Sequence, residues 1–485
     1  MQEARGKKQG AGRLVIPALL CLVAFGLRLG PLWANRFHSD EALYATWALG
    51  IASGRDALLS SVAPDKPPLL FYTMAAAFAA LGRVEVAARL AGLMAGVVSV
   101  AWVWRLAGRG IPAYVATAAM ALSPFAISFS PTAFLDPLMA MFALAALVAA
   151  ARRRPGWAGV CLGLAAATKV QALVFLPLVV ACGTFALRLS SWGVIRFATG
   201  LAIPVSAILA WERLRGGAPF WIQQTINYGG IRPVHASEVM PRLAGWASFL
   251  PHFFGWPMLA ALAIGLPLLL IYDLTRGART RAAALDLMWM TFALGYFSLH
   301  WLLAFPVWDR YMLGLVPVMC LLIGRLGGWA VGWLDDRFAW SSAIVVMLVL
   351  ALLAVPAAQA AQSAVPFGGD HGPHDGIDRV ATLLRDLPAG AVVYDHWLGW
   401  VLRYYLWDAN VYIAYFATPQ SLAEDLRVFG RASPRYIVFP ANESTTRVER
   451  AIAAEGFEIS PVLSTQDRHG QLTFTLYRID AHADH

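Results

Sequence analysis

Two adjacent acids, Asp40 and Glu41, stand in the stretch His38-Ser39-Asp40-Glu41, just after the apolar run 14–33. Membrane insertion does not need them. A carboxylate at such a helix end can take a proton from an acceptor hydroxyl or amine. The same stretch can also start a helix. Ser39 or Asp40 would then cap the segment 41–54, and an acid favours its N-terminal turn. A third acid, Asp136 in the turn 131–137, has the same two uses, and spacing alone does not choose between them. His38 beside the pair offers the start of a divalent metal site near Asp40 and Glu41, although a lone histidine is more often a plain surface residue.

The basic residues narrow the chemistry. Of 38 lysines and arginines only four are lysines: Lys7, Lys8, Lys66 and Lys169. A chain that uses arginine by default keeps just two lysines outside its N-terminal tail. A lysine is a compact point charge suited to a phosphate. The competing reading is an interfacial lysine that reaches its ammonium into water. Two further places bear on an anion. The turn 305–317 carries Asp309, Arg310 and Tyr311, and the polar segment 220–237 carries Arg232.

These residues need elements to position them. The 485 residues are 59% hydrophobic and 14% charged, against about 25% charged in an ordinary soluble domain. Apolar runs of membrane-crossing length recur, and in lipid only helices satisfy so much apolar backbone economically. The expected fold is a polytopic α-helical membrane protein with eleven to thirteen transmembrane helices. The net charge of +9 belongs to loops on the inner face rather than to nucleic-acid binding. Cys21, Cys161, Cys182 and Cys320 all fall in apolar segments and read as buried small hydrophobes. The first apolar run is too long for a signal h-region and reads as an uncleaved helix.

Charge orients the spans. With Arg5, Lys7, Lys8 and Arg13 in the cytoplasm, the run 14–31 exits. The runs 86–106, 111–129, 137–151, 157–168, 171–187, 193–211, 249–272, 283–304, 311–331 and 340–358 follow. This order puts Arg105, Arg109, Arg152 to Arg154, Arg188, Arg196, Arg276, Arg279, Arg281 and Arg337 inside. Counting 66–82 as a span would invert every later loop, so it is expected at the interface, entered through a proline pair. Residues 1–360 thus form the membrane domain, with long outer loops at 32–85 and 212–248. Asp40, Glu41, Lys66, Asp136, Lys169, Arg310 and Tyr311 all fall on the outer side.

The remainder, 361–485, opens with a Gly/Pro/Asp/His-rich linker. Alternating strand and helix patterns follow, with strands over 389–395, 408–416, 434–440 and 472–479. That alternation predicts a small extracytoplasmic α/β domain. It carries no Gly-rich phosphate fingerprint and is assigned no cofactor.

The ordered set of motifs resembles the polyprenyl-phosphate-dependent glycosyltransferases of the membrane-embedded GT-C class. The aminoarabinose transferase and protein O-mannosyltransferase families are the nearest in pattern. The resemblance rests on the acidic pair opening the first loop, Asp65-Lys66-Pro67, Leu135-Asp136, Thr168-Lys169, and Arg310-Tyr311 with Pro317. It implies a polyprenyl-phosphate-linked sugar donor drawn from among the membrane lipids, and an acceptor that is a glycan, lipid or protein. The implied location is the bacterial inner membrane. Asp40 would be the general base, with Glu41 beside it. Lys66 would hold the donor phosphate, helped by Arg310 and Tyr311, with Lys169 and Arg232 as further contacts. Asp136 would orient Lys66 or the acceptor, and displacement at the anomeric carbon would invert it. The leading alternative is a lipid or glycan transporter, which should place ionisable or helix-breaking residues at mid-span.

Overall fold

The computed structural model describes residues 2–186, 190–275, 280–335 and 340–482, with side chains described from 14 to 184 in the first stretch. The expected inner-face residues Arg188, Arg276, Arg279 and Arg337 lie outside the described residues, as do the side chains of Arg5, Lys7, Lys8 and Arg13. The chain divides into two compact units. One comprises Met1–Ala34 and Gly50–Gly368, the other Asn35–Leu49 and Gly369–His485.

The first unit is helical. Among the described residues seven helices are long and apolar enough to cross a membrane: Leu14–Ala34, Glu85–Ala107, Ser191–Arg215, Trp256–Thr275, Arg281–Leu302, Asp309–Asp335 and Ser341–Ala361. Shorter apolar helices lie at Leu69–Leu81, Ile111–Leu122, Leu135–Ala151, Pro155–Thr168 and Val170–Thr184. Seven of the eleven expected runs lie on these long helices and the other four on the shorter ones, so the chain is an integral membrane protein with fewer membrane-length helices, among the described residues, than the eleven to thirteen expected.

The run 111–129 is broken, however. Its first helix ends at Leu122 and a second, Pro124–Phe129, begins at a proline. Pro124 has no N–H to continue the ladder. Ser123 mends the break: its hydroxyl accepts from the Ala126 N–H and donates to the Phe253 carbonyl at 2.8 Å. Three other runs start as 3-10 turns, Val170–Phe175, Leu250–Phe253 and Asp309–Leu315. Asp136 lies in the first turn of Leu135–Ala151. Asp136, Lys169 and Arg310 therefore sit at helix starts, where backbone N–H groups favour an anion.

Polar side chains also fasten the spans. Arg28, fully buried, donates to the carbonyls of Ala24 and Ala121. Asp286 and Arg325 make a two-pronged pair at 2.6 and 2.9 Å between the helices Arg281–Leu302 and Val316–Asp335.

The second unit holds one five-stranded sheet. Its strands are β1 (Val392–Asp395), β2 (Tyr412–Tyr415), β3 (Arg435–Pro440), β4 (Phe457–Gln466) and β5 (Leu472–Ala481), in the order β2-β1-β3-β5-β4. β1 pairs parallel with β2 and β3, whereas β5 runs antiparallel to β3 and β4. β3 is buried along its whole length, as its continuous apolar run requires. The helix Pro419–Phe429 begins with Thr418 and Ser421 in a reciprocal cap. Two elements lay outside the sequence reading. β4 carries Pro461 and a register shift between Pro461 and Leu463, which hides its alternation. The helix Gly399–Tyr405 is short. The helix opening at Ser39 begins within this unit.

Candidate active site

In the first unit two buried lysines each meet a carboxylate. The Lys66 ammonium lies 2.7 Å from Asp65, and both side chains are almost sealed from solvent. Asn227 donates to the same Asp65 oxygen at 3.2 Å. Lys169 lies 2.5 Å from Asp136, which is 1% exposed. Asp136 thus serves Lys169, and the partner of Lys66 is its own neighbour Asp65. A buried ammonium is tolerated because its partner offsets the loss of hydration.

A row of rings joins the two lysines. Lys66 donates to the Tyr228 hydroxyl at 3.0 Å and stands 4.4 Å from the centre of its ring. Tyr228 meets Trp308 edge to face at 5.6 Å, and Trp308 meets Tyr311 at 5.5 Å. The Tyr311 ring lies 3.9 Å from the Lys169 ammonium. Arg310 completes the group, its guanidinium 4.7 Å from the Phe134 ring and 4.6 Å from that of Trp308. Both Arg310 and Lys66 act electrostatically on Lys169. Three cations therefore share one small region whose walls are aromatic faces. Such faces stabilise cations without neutralising them, and the two lysines are in addition paired with carboxylates.

Tyr311 is fixed from beneath. The Tyr296 hydroxyl donates to its carbonyl at 2.6 Å and accepts from Gln171 at 3.2 Å. The Tyr296 ring also lines one end of an apolar groove of about 630 Å³, formed by residues of the helices Leu176–Ala186, Trp256–Thr275 and Arg281–Leu302.

Arg232 is used differently. Its two terminal nitrogens fork onto Glu238 at 2.8 and 2.7 Å, and the pair is partly exposed. The arginine holds the Glu238 carboxyl down to about 2, so the pair is ionised at neutral pH. Glu238 also accepts from the His235 N–H, closing the start of the helix Ala236–Ala247.

In the second unit the acidic pair opens the helix Ser39–Ala52. Its cap is His38 rather than Ser39 or Asp40. The Asp40 N–H donates to His38 Nδ1 at 3.1 Å, and the His38 N–H donates to Glu41 Oε2 at 3.0 Å. This is the reciprocal geometry of a capping box, with an imidazole in the usual place of a hydroxyl. Glu41 is fully buried and Asp40 only partly so. Asp40 lends its backbone to the cap, so a carboxylate role is not consumed by it. Among the described residues no group of three or more His, Cys, Asp and Glu gathers to hold a metal.

Tyr228, Asn227, Trp308, Phe134, Gln171 and Tyr296 were not singled out from the sequence. For the first two a signal existed, since both lie in the polar segment 220–237. Trp308 directly precedes Asp309 and Arg310.

Among solved structures the chain is similar to ArnT from Cupriavidus metallidurans bound to undecaprenyl phosphate. The TM-score is 0.61, with 15% identity, over 96% of this chain and 98% of that one. It is also similar to the Archaeoglobus fulgidus oligosaccharyltransferase in its apo form, at a TM-score of 0.54 and 13% identity, over 93% of this chain and 69% of that one. The same archaeal enzyme, AglB, in complex with an inhibitory peptide and a dolichol-phosphate, matches at 0.51 and 12%, over 93% and 70%. At such identities the likeness is one of fold. The family model for dolichyl-phosphate-mannose-protein mannosyltransferase matches residues 65–211, a stretch that holds Asp65, Lys66, Asp136 and Lys169. No curated protein matches the chain.

Proposed function

We propose that the protein is a glycosyltransferase that moves a sugar from a polyprenyl-phosphate donor to a lipid, glycan or protein acceptor at the outer face of the bacterial inner membrane. The observation that carries this reading is the cluster of Lys66, Arg310 and Lys169 around the Tyr228–Trp308–Tyr311 row, together with an apolar groove lined by Tyr296, the residue that fixes Tyr311. A phosphate with a long hydrocarbon tail fits that combination: cations for the head, an apolar channel for the tail. The family match over 65–211 and the lipid phosphates bound by the relatives of like fold support it.

The acceptor hydroxyl or amine attacks the anomeric carbon and forms the new glycosidic bond. The bond from that carbon to the phosphate oxygen breaks, inverting the centre. The polyprenyl phosphate leaves with the electron pair, and Lys66 with Arg310 stabilises its growing charge. Asp40 takes the acceptor's proton. The leaving group is already a phosphate and needs no protein acid. In this scheme Asp65 and Asp136 keep the two lysines charged and aimed, and the N-terminus lies in the cytoplasm.

Transfer from a polyprenyl-phosphate sugar, followed by mass spectrometry of lipid and glycan products, tests the reading. The Asp40→Asn variant should lose on the order of 10²- to 10⁴-fold in kcat while folding and donor affinity stay unchanged. Full turnover by that variant refutes the base. Donor movement across the bilayer without any glycosidic product would favour the transporter instead.

A further inference from the structure

The segment that bears the acidic pair does not fold with the helices that flank it in sequence. Asn35–Leu49 belongs to the same compact unit as Gly369–His485, more than 300 residues later. The contacts are spread along the segment. At its start, Asn35 accepts from Arg468, in the turn between β4 and β5, at 3.2 Å. That arginine is itself anchored on Asp375 at 2.9 Å. Arg36 reaches Asp378 at 3.1 Å. Phe37, fully buried, meets the Tyr404 ring edge to face at 4.7 Å. Beyond the acids, Trp47 meets Trp400 at 6.4 Å. Both Trp400 and Tyr404 come from the single short helix Gly399–Tyr405.

That helix has its own mooring. It leaves β1 directly, and the Asp395 carboxylate at the end of the strand accepts from the Leu398 and Gly399 N–H groups at 2.9 and 3.0 Å. Burial raises the Asp395 carboxyl above its usual range, against these two bonds. The chain of support therefore runs from sheet to Asp395, to the helix, to Phe37 and Trp47, and so to both sides of Asp40. A base works only when held near the proton it takes, and a misplacement of about 1 Å can cost on the order of a hundredfold.

We propose that the C-terminal α/β domain acts as the holder of the acidic segment, with Phe37, Tyr404, Trp47 and Trp400 as positioning residues for Asp40. The inference rests on the proposed role of Asp40 as base. It assigns the domain work in the transfer step itself, where an appended domain would otherwise be taken for an accessory.

The experiment uses the full-length protein in detergent, with kcat, donor Kd and hydrogen exchange of the amides of 39–49 as readouts. Tyr404→Ala should lower kcat about tenfold or more, leave donor Kd within about twofold, and speed exchange over 39–49. Tyr404→Phe, which keeps the ring, should restore all three. A second pair guards against simple misfolding. Arg36→Asp and Asp378→Arg, both on partly exposed residues, should each lower kcat at low salt, and the double exchange should recover it. Unchanged kcat and exchange in Tyr404→Ala and in both single charge variants overturns the proposal. A parallel fall in donor affinity also overturns it, because the fault would then be general unfolding. Asp40→Asn, run alongside, separates the two claims. Full turnover there removes the base and this proposal with it. Lost turnover there, with Tyr404→Ala unaffected, removes this proposal alone.

Discussion

The cation region and the acidic segment handle charge in opposite ways. Lys66 and Lys169 are buried, and each is matched by a buried carboxylate at hydrogen-bond distance. Asp40 is partly exposed and sits at a helix start, where its backbone is used by a cap. The first arrangement is rigid and expensive to disturb, because an uncompensated charge in a dry site has nowhere to go. The second keeps a carboxylate near solvent, where it can accept a proton and release it again. A head group that must be held while its bond to the sugar breaks suits the first. A base that must reset every cycle suits the second.

The sharpest way to break this contrast is to remove Asp136. Asp136→Ala leaves the Lys169 ammonium buried without its 2.5 Å partner. Breaking a buried pair in this way costs about 3–5 kcal/mol. The expected outcome is a clear fall in the thermal midpoint in detergent, together with loss of donor binding. Replacing both members, Asp136→Leu with Lys169→Met, should recover most of the stability but not the donor affinity, since the site would then be apolar and neutral. An Asp136→Ala protein as stable as the parent would mean that the pair is solvated after all.

Lys66→Ala should act less on stability and more on the donor. Asp65 keeps one partner in Asn227. A hydrogen bond to a charged group contributes about 1.5–3 kcal/mol, so donor Kd should rise on the order of ten- to a hundredfold. Acceptor KM should stay put. Equal effects on donor and acceptor would erase the division of labour between the two regions.

The two regions were also unequally legible in the sequence. Span positions were readable because a long apolar run is a local signal, and each expected run lies on a helix. The rarity of lysine pointed to Lys66 and Lys169, but the acid expected to orient Lys66 was Asp136, whereas Asp65 pairs with it. What a single chain could not reveal was pairing over distance. Asp136 and Lys169 are 33 residues apart, and Lys66 and Tyr228 are 162 apart, so nothing local links them. The aromatic row was hidden for the same reason: an isolated Trp or Tyr in an apolar chain looks like every other. Residues 35–49 posed the hardest case. They read as the first loop after a span, whereas their packing partners Trp400, Tyr404 and Arg468 lie in the last quarter of the chain. The break at Ser123-Pro124 was visible as a proline but was absorbed into one run.

Arg232 gives the smallest expected effect and the cleanest test of whether charge type alone identifies a phosphate contact. The sequence offered it as one, on the strength of an arginine in a polar segment. Its forked face is already spent on Glu238, the geometry in which arginine binds a carboxylate best. Glu238 in turn closes the start of the helix Ala236–Ala247 through the His235 N–H. The pair lies on the surface, where salt screens such contacts and their worth is small. Arg232→Ala should therefore leave donor Kd within about twofold, whereas Lys66→Ala shifts it by tenfold or more. Its visible consequence should be faster hydrogen exchange at 236–239, where the cap is lost. A fall in pH should reproduce that loosening only as it approaches about 2. There the Glu238 carboxyl, held low by the arginine, finally takes up a proton. The sign follows from linkage: a depressed carboxyl stabilises at pH values above its unfolded range, and loses that contribution as pH drops through the folded value. If Arg232→Ala weakens the donor as much as Lys66→Ala does, Arg232 itself belongs to the phosphate site and the exposed pair must open to serve it.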